Sequence, residues 1–138
     1  MVNRHMIMEL VRFGLVGVLN TLSGLFIIIA LMRSAGVDYL LANAVGYACG
    51  ITLSFFINRS WTFRHKGSMF QSAIQWGKVT AMAYVANLGV VVVAHEYFGI
   101  EPSASQLLGV VAYSLLSYLG GKYYAFHQQA QSSLELAA

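Results

Sequence analysis

Apolar residues run almost unbroken through four stretches of this chain. They are Phe13 to Met32 (FGLVGVLNTLSGLFIIIALM), Leu40 to Ile57 (LLANAVGYACGITLSFFI), Trp76 to Ala94, and roughly Ala104 to Phe126. No run alternates with the period of two that a half-buried strand requires, so each predicts a helix. At 1.5 Å per residue, 18–20 residues cover about 27–30 Å, the thickness of a bilayer's hydrocarbon core. The polar connections Arg33–Tyr39 and His95–Ser103 are short and carry Gly with Asp or Glu. The connection Asn58–Gln75 is longer and basic. The first run is too long for the core of a cleavable signal and is expected to stay as a membrane helix.

The pattern also repeats. Shifting the chain by 63 positions lays Phe13 on Trp76, Gly36 on Gly99, Asp38 on Glu101 and Gly46 on Gly109. The same shift lays Ser54 on Ser117, Arg59 on Lys122, Trp61 on Tyr124 and Phe63 on Phe126. Turns, charges and rings coincide at one register, so two tandem two-helix copies are expected, over about 4–66 and 67–129. Copies of equal topology are related by an axis along the membrane normal, which would put a pathway between the halves.

Composition sharpens the class. Apolar residues make up 58% and charged residues 9%, against about 25% charged in soluble domains. The expected fold is therefore an all-α membrane protein with four transmembrane helices. Arg4, Arg12, Arg59, Arg64, Lys66, Lys78 and Lys122 fall on one side of it, and only Arg33 on the other. By the positive-inside rule both termini and the central connection are cytoplasmic. Cys49, inside the second run, is expected as a small core residue.

Chemistry is sparse. The carboxylates Glu9, Asp38, Glu96, Glu101 and Glu135 are scattered, and the four His share no ligand spacing. That disfavours paired-acid or metal catalysis, so no catalytic residue, metal or cofactor is expected. Polar residues within the helices are more telling. Ala42, Gly46, Gly50, Ser54 and Asn58 recur every fourth position, and Ser105, Gly109, Tyr113, Ser117 and Gly121 match them. Small residues in this pattern let helices approach closely, and they could equally line a groove. Asn20 and Asn87 need either an interhelical partner or a polar ligand. Arg12, Arg59, Lys78 and Lys122 stand near the cytoplasmic end of each helix. Each alone sets topology or snorkels; together they suit an anionic phosphate in the headgroup layer. Trp61 and its neighbouring rings sit at the interface, where they anchor or stack on sugars.

The openings RFGLVGVLNT and LANAVGYACGITLSFFINRSWTF resemble the GtrA-like family of small four-helix bacterial membrane proteins. The likeness covers about residues 10–127. Its most specific elements are Phe13-Gly14-x-x-Gly17, Asn20 and Asn58-Arg59-x-Trp61-x-Phe63; the two tails depart from it. The resemblance implies a flippase that moves a polyprenyl-phosphate-linked monosaccharide, such as undecaprenyl-phosphate-glucose, across the bacterial cytoplasmic membrane. It implies a membrane glycosyltransferase partner and a role in cell-surface polysaccharide or O-antigen glycosylation. The substrate-binding residues expected on that reading are Arg12, Asn20, Ser54, Asn58, Arg59, Trp61, Lys78, Asn87, Ser117 and Lys122. Four short helices barely enclose a sugar, so a homodimer is expected, and nucleic acid is not. The rival is a non-transporting subunit that scaffolds a glycosyltransferase. A small multidrug-type exporter would need a membrane-embedded carboxylate, and none is present.

Overall fold

The computed structural model describes residues 3–127. Residues 128 and 129 at the expected end of the second repeat half lie outside them, as do Glu135 and the tail. All regular elements among the described residues are helical: α1 (Arg4–Ser34), α2 (Tyr39–Ile57), α3 (Met69–Val92) and α4 (Pro102–Gly120). The last three each run directly into a five-residue π-helical turn, Asn58–Thr62, Val93–Tyr97 and Gly121–Ala125 respectively. The chain divides into two compact units, Met1–Arg64 and His65–Ala138.

Helix starts follow side-chain chemistry. Asp38 Oδ2 accepts the Leu40 amide at 2.9 Å, capping α2. Glu101 Oε2 accepts the Ala104 amide at 3.3 Å, and Pro102 follows it at the first turn of α4. A hydrogen bond from the Ser103 side chain holds the Glu101 carboxyl below the usual range, consistent with an ionised cap. Two helices begin earlier than their apolar runs. α1 starts at Arg4, nine positions before Phe13, because the segment RHMIMELVR continues the helix beyond the apolar stretch. α3 starts at Met69, where Ser68 Oγ accepts the Gln71 amide at 3.4 Å. The Ser68-x-x-Gln71 spacing is a capping-box signal inside the expected loop. The basic connection is correspondingly shorter than the Asn58–Gln75 reading.

Two hairpin turns close alike. Gly36 and Gly99 have φ of 60° and 62°, a conformation in which a Cβ is costly. The Val37 amide then reaches Leu31 O at 3.2 Å, and the Ile100 amide reaches Ala94 O at 3.0 Å. Both hydrogen bonds span six residues and tie the next helix back onto the one just finished.

Within each unit the small-residue stripe faces the partner helix. In the first, Ala42, Gly46 and Gly50 are buried, with Gly46 against Ile28 and the Gly24 carbonyl. In the second, Ser105, Gly109 and Ser117 are buried, with Gly109 against Val91 and Asn87. The stripe is therefore a helix–helix contact, not an open groove within either pair. Lipid supplies no hydrophobic drive between helices, so close approach and dispersion hold them together. The outer faces are apolar and open: Phe26 is 73% exposed, Val85 69% and Leu40 65%. Apolar surface of this extent is what a helix facing lipid presents. Cys49 belongs to this outer face and is exposed, contrary to the core reading. Its position between the buried Gly46 and Gly50, off their four-residue period, explains why.

Among the described residues three helices, Arg4–Ser34, Tyr39–Thr62 and Met69–Tyr97, are long and apolar enough to cross a membrane. The fourth, Pro102–Gly120, carries Ser103, Ser105, Gln106, Ser114 and Ser117 along its length.

The end of α2 contains a buried polar relay. Asn58 is 1% exposed and donates through Nδ2 to Ser54 Oγ at 3.1 Å. Thr62 Oγ1 donates to Asn58 Oδ1 at 2.9 Å, so both ends of the amide are used. The aligned positions in the second unit are Ser117, Gly121 and Ala125, which cannot build the relay.

Two substitutions test this architecture. A Cβ at Gly46 would lie 2.4 Å from Ile28 Cγ1 and 3.2 Å from the Gly24 carbonyl, whereas one at Gly14 meets nothing within 4 Å. Gly46→Leu should therefore lower the melting temperature in detergent, with an overpacking cost of about 1–3 kcal/mol or more, while Gly14→Ala is tolerated. Asn58→Ala should destabilise the protein by about 1–3 kcal/mol, since it strands two hydroxyls. Ser60→Ala, which removes only an exposed bond to Phe56 O, serves as the comparison and should stay within about 0.5 kcal/mol.

Candidate functional site

The candidate chemistry gathers at the basic helix ends. In the first unit, α1 carries Arg12 and the π-turn Asn58–Thr62 carries Arg59 and Trp61. Arg12 Nη1 donates to Trp61 O at 3.3 Å, and its guanidinium carbon lies 5.5 Å from the Trp61 ring centre. Next to this contact, Phe13, one position after Arg12, and Phe63, two positions after Trp61, have ring centroids 6.2 Å apart. The π-turn closes by the Phe63 amide bonding Asn58 O at 2.9 Å. Arg59 is half-buried with its Nε buried, and Trp61 is 43% exposed. Arg64 follows with φ of 50°, a left-handed residue of the kind that commonly ends a helix. The structure thus brings Arg12 and Trp61 together, with Arg59 on the same π-turn as Trp61. Asn58 and Ser54 lie just behind them, engaged with each other.

The second unit has the same layout with different residues. Lys122 Nζ donates to Tyr118 OH at 3.4 Å and lies 5.7 Å and 5.9 Å from the Tyr118 and Tyr123 ring centres. The Phe126 amide bonds Gly121 O at 2.8 Å, closing this π-turn. Trp76, 3% exposed, stacks on Phe126 with centroids 5.3 Å apart. His65 Nδ1 meets Phe126 O at 3.1 Å. Gln75, with its amide oriented to suit the neighbouring carbonyls, donates to Tyr124 O at 3.2 Å and Ala125 O at 3.3 Å. Lys78 is exposed on α3 beside Val79, which packs against Gly120, so it shares an end of the unit with Lys122.

The remaining candidates lie within the helix pairs. Asn20 Oδ1 is buried against Gly50, where an added Cβ would lie 2.5 Å away. Asn87 fills the notch left by Gly109, its Nδ2 being 3.0 Å from such a Cβ. Ser117 is 1% exposed. These side chains occupy helix–helix seams, where Asn20 Oδ1 and Ser117 Oγ are buried without a hydrogen-bond partner, so the interhelical hydrogen bonds open to them in the sequence are not made through those atoms. The second unit also has a groove of about 650 Å³ bordered by Gly89, Val93, Ala94, Phe98 and Leu108, apolar throughout and suited to hydrocarbon rather than sugar. Among the described residues no group of three or more His, Cys, Asp or Glu comes together.

Sequence reasoning missed Gln75, His65 and the π-turns. Gln75 was legible as the 63-residue counterpart of Arg12. A π-turn differs from an α-turn by one residue of register and has no local signature here. Chemically, each basic end offers a cation backed by rings at the end of a membrane helix. A cation so placed is chemically suited to a phosphate or to an anionic headgroup carrying one.

No curated protein matches the chain. A family model described as GtrA/DPMS, transmembrane domain, matches residues 12–126, which open at Arg12 and close at Phe126, members of the two contact sets just described. The chain is a multi-pass membrane protein and belongs to the GtrA/DPMS transmembrane-domain family.

Proposed function

We propose that the protein is a translocase that moves a polyprenyl-phosphate-linked monosaccharide across a bacterial cytoplasmic membrane, with no covalent step. Membership of the family, which belongs to lipid-linked sugar pathways, supports the pathway class. The observation that carries the reading is the presentation of Arg59. It stands on a π-turn anchored by the buried Ser54–Asn58–Thr62 relay, at the same end as the Trp61 ring. A guanidinium grips phosphate through two parallel N–H bonds, and an adjacent ring offers a face to a sugar. The lipid's polyprenyl tail remains in hydrocarbon. The reading takes α4 as a fourth span and the two units as tandem copies, each with its basic end cytoplasmic. The shared 63-residue register of α2 with α4, Gly36 with Gly99, and Asn58–Thr62 with Gly121–Ala125 supports this. A membrane glycosyltransferase would supply the lipid, and a homodimer would enclose more of the headgroup than one chain.

One observation favours a second reading. Gly46, Gly50 and Gly109 close the seam of each helix pair against side chains, leaving the polar stripe no free surface there. A subunit that only scaffolds a glycosyltransferase would need nothing more. Reconstitution separates the two: purified protein in liposomes should equilibrate undecaprenyl-phosphate-glucose between leaflets faster than empty liposomes. Equal rates would sink the translocase and favour the scaffold.

Arg59→Ala should slow transfer about tenfold or more, the effect of losing one charge-assisted contact, with the inserted protein still folded. Undiminished transfer by that variant would remove Arg59 from the phosphate site.

A further inference from the structure

A helix that stops leaves its last carbonyls without intrahelical donors. At membrane depth such groups need a partner from the protein itself. The π-turn Asn58–Thr62 uses Asn58 O for its closing bond, and Arg12 reaches across from α1 to Trp61 O. In the second unit Gln75 reaches across from α3 to Tyr124 O and Ala125 O. Positions 12 and 75 differ by 63, as do positions 61 and 124. The flanking ring contacts, Phe13 with Phe63 and Trp76 with Phe126, keep the same register. Two different residues thus solve one geometric problem. What Arg and Gln share is a planar group bearing N–H donors; positive charge is not common to them.

We propose that Arg12 is a positioning residue, a clamp on the Trp61 carbonyl of the π-turn that follows α2, and not itself a ligand for the phosphate. The clamp holds the π-turn that carries Arg59 two residues before Trp61, and so fixes where that guanidinium meets the headgroup. It also pins the Trp61 ring, over which the Arg12 guanidinium lies. The helix C-terminus carries partial negative charge, so a cation there is favourable for a purely structural reason. The clamp's effect on the ligand rests on the reading of Arg59 given above, whereas the clamp itself does not.

The test replaces Arg12 by the second unit's own solution. Full-length wild type, Arg12→Gln, Arg12→Ala and Arg59→Gln are reconstituted in liposomes, and undecaprenyl-phosphate-glucose transfer is followed over a range of lipid densities. Arg12→Gln should stay within about twofold of wild type in rate and half-saturation, while Arg12→Ala falls about tenfold in rate. Arg59→Gln should raise the half-saturating density. Loss in Arg12→Gln equal to that in Arg12→Ala would mean that the charge is required and would overturn the proposal. Failure of wild type to transfer lipid would reject the translocase instead, and the clamp is then judged by fluorescence. In a Trp76→Phe background, where Trp61 is the one tryptophan left, acrylamide quenching of Arg12→Gln should match the Arg12 parent, and that of Arg12→Ala should rise. Unchanged quenching in Arg12→Ala would show that nothing is clamped.

Discussion

The constraint on which this structure depends is that lipid offers no hydrogen bonds. Every amide and carbonyl within the membrane must find a partner in the protein, which is why the described residues form helices and tight turns. The exposed apolar faces need no explanation beyond their solvent. The demanding places are the helix ends, and there each unit spends its few polar side chains. Asp38 and Glu101 cap starts, the Val37 and Ile100 amides fold back over finished helices, and Arg12, Gln75 and His65 meet carbonyls at the basic ends.

The same constraint decides how the helices hold together. With hydrocarbon on every side, burial of apolar area does not favour one helix pair over dispersed helices, so contact distance matters most. Gly46, Gly50 and Gly109 remove the atoms that would keep backbones apart, and Ile28, Asn20, Val91 and Asn87 fill the space. At the end of the first unit's stripe the polar residues are satisfied locally: Asn58 donates to Ser54 and accepts from Thr62, which holds its amide in place. Asn58, expected from the sequence as a ligand, thus fastens the turn that carries its neighbour Arg59.

Much of this was legible beforehand because membrane helices announce themselves by composition. The α2 boundary was read to within one residue, and Gly36, Gly99 and the stripe fell where the 63-residue shift placed them. The start of α1 was not, since RHMIMELVR is too polar to register as an apolar run yet has nothing to break a helix. The start of α3 was hidden because a Ser68 cap was read as loop polarity. Cys49 was misplaced because apolarity marks both core and lipid face in a membrane protein, and only the four-residue period of Gly46 and Gly50 tells them apart. Contacts such as Gln75 to Tyr124 O depend on three-dimensional register, which the repeat hints at but no single helix encodes.

The two units share a frame but not a chemistry. At the first basic end a buried amide stiffens the π-turn and the cation is a guanidinium, planar and suited to two parallel bonds to phosphate. At the second, Gly121 and Ala125 leave no relay, and the cation is an ammonium directed to the Tyr118 hydroxyl and lying near two tyrosine rings. Arg59 sits on a turn fixed from behind by Asn58 and from the side by Arg12. Pre-organisation lowers the entropy lost on binding, and it is greater in the first unit. If the units descend from one ancestor, the divergence of Asn58 from Gly121 and of Arg12 from Gln75 divided the labour. On the function proposed above, the first copy would present the phosphate site from a stiffened turn, while the second keeps the packing.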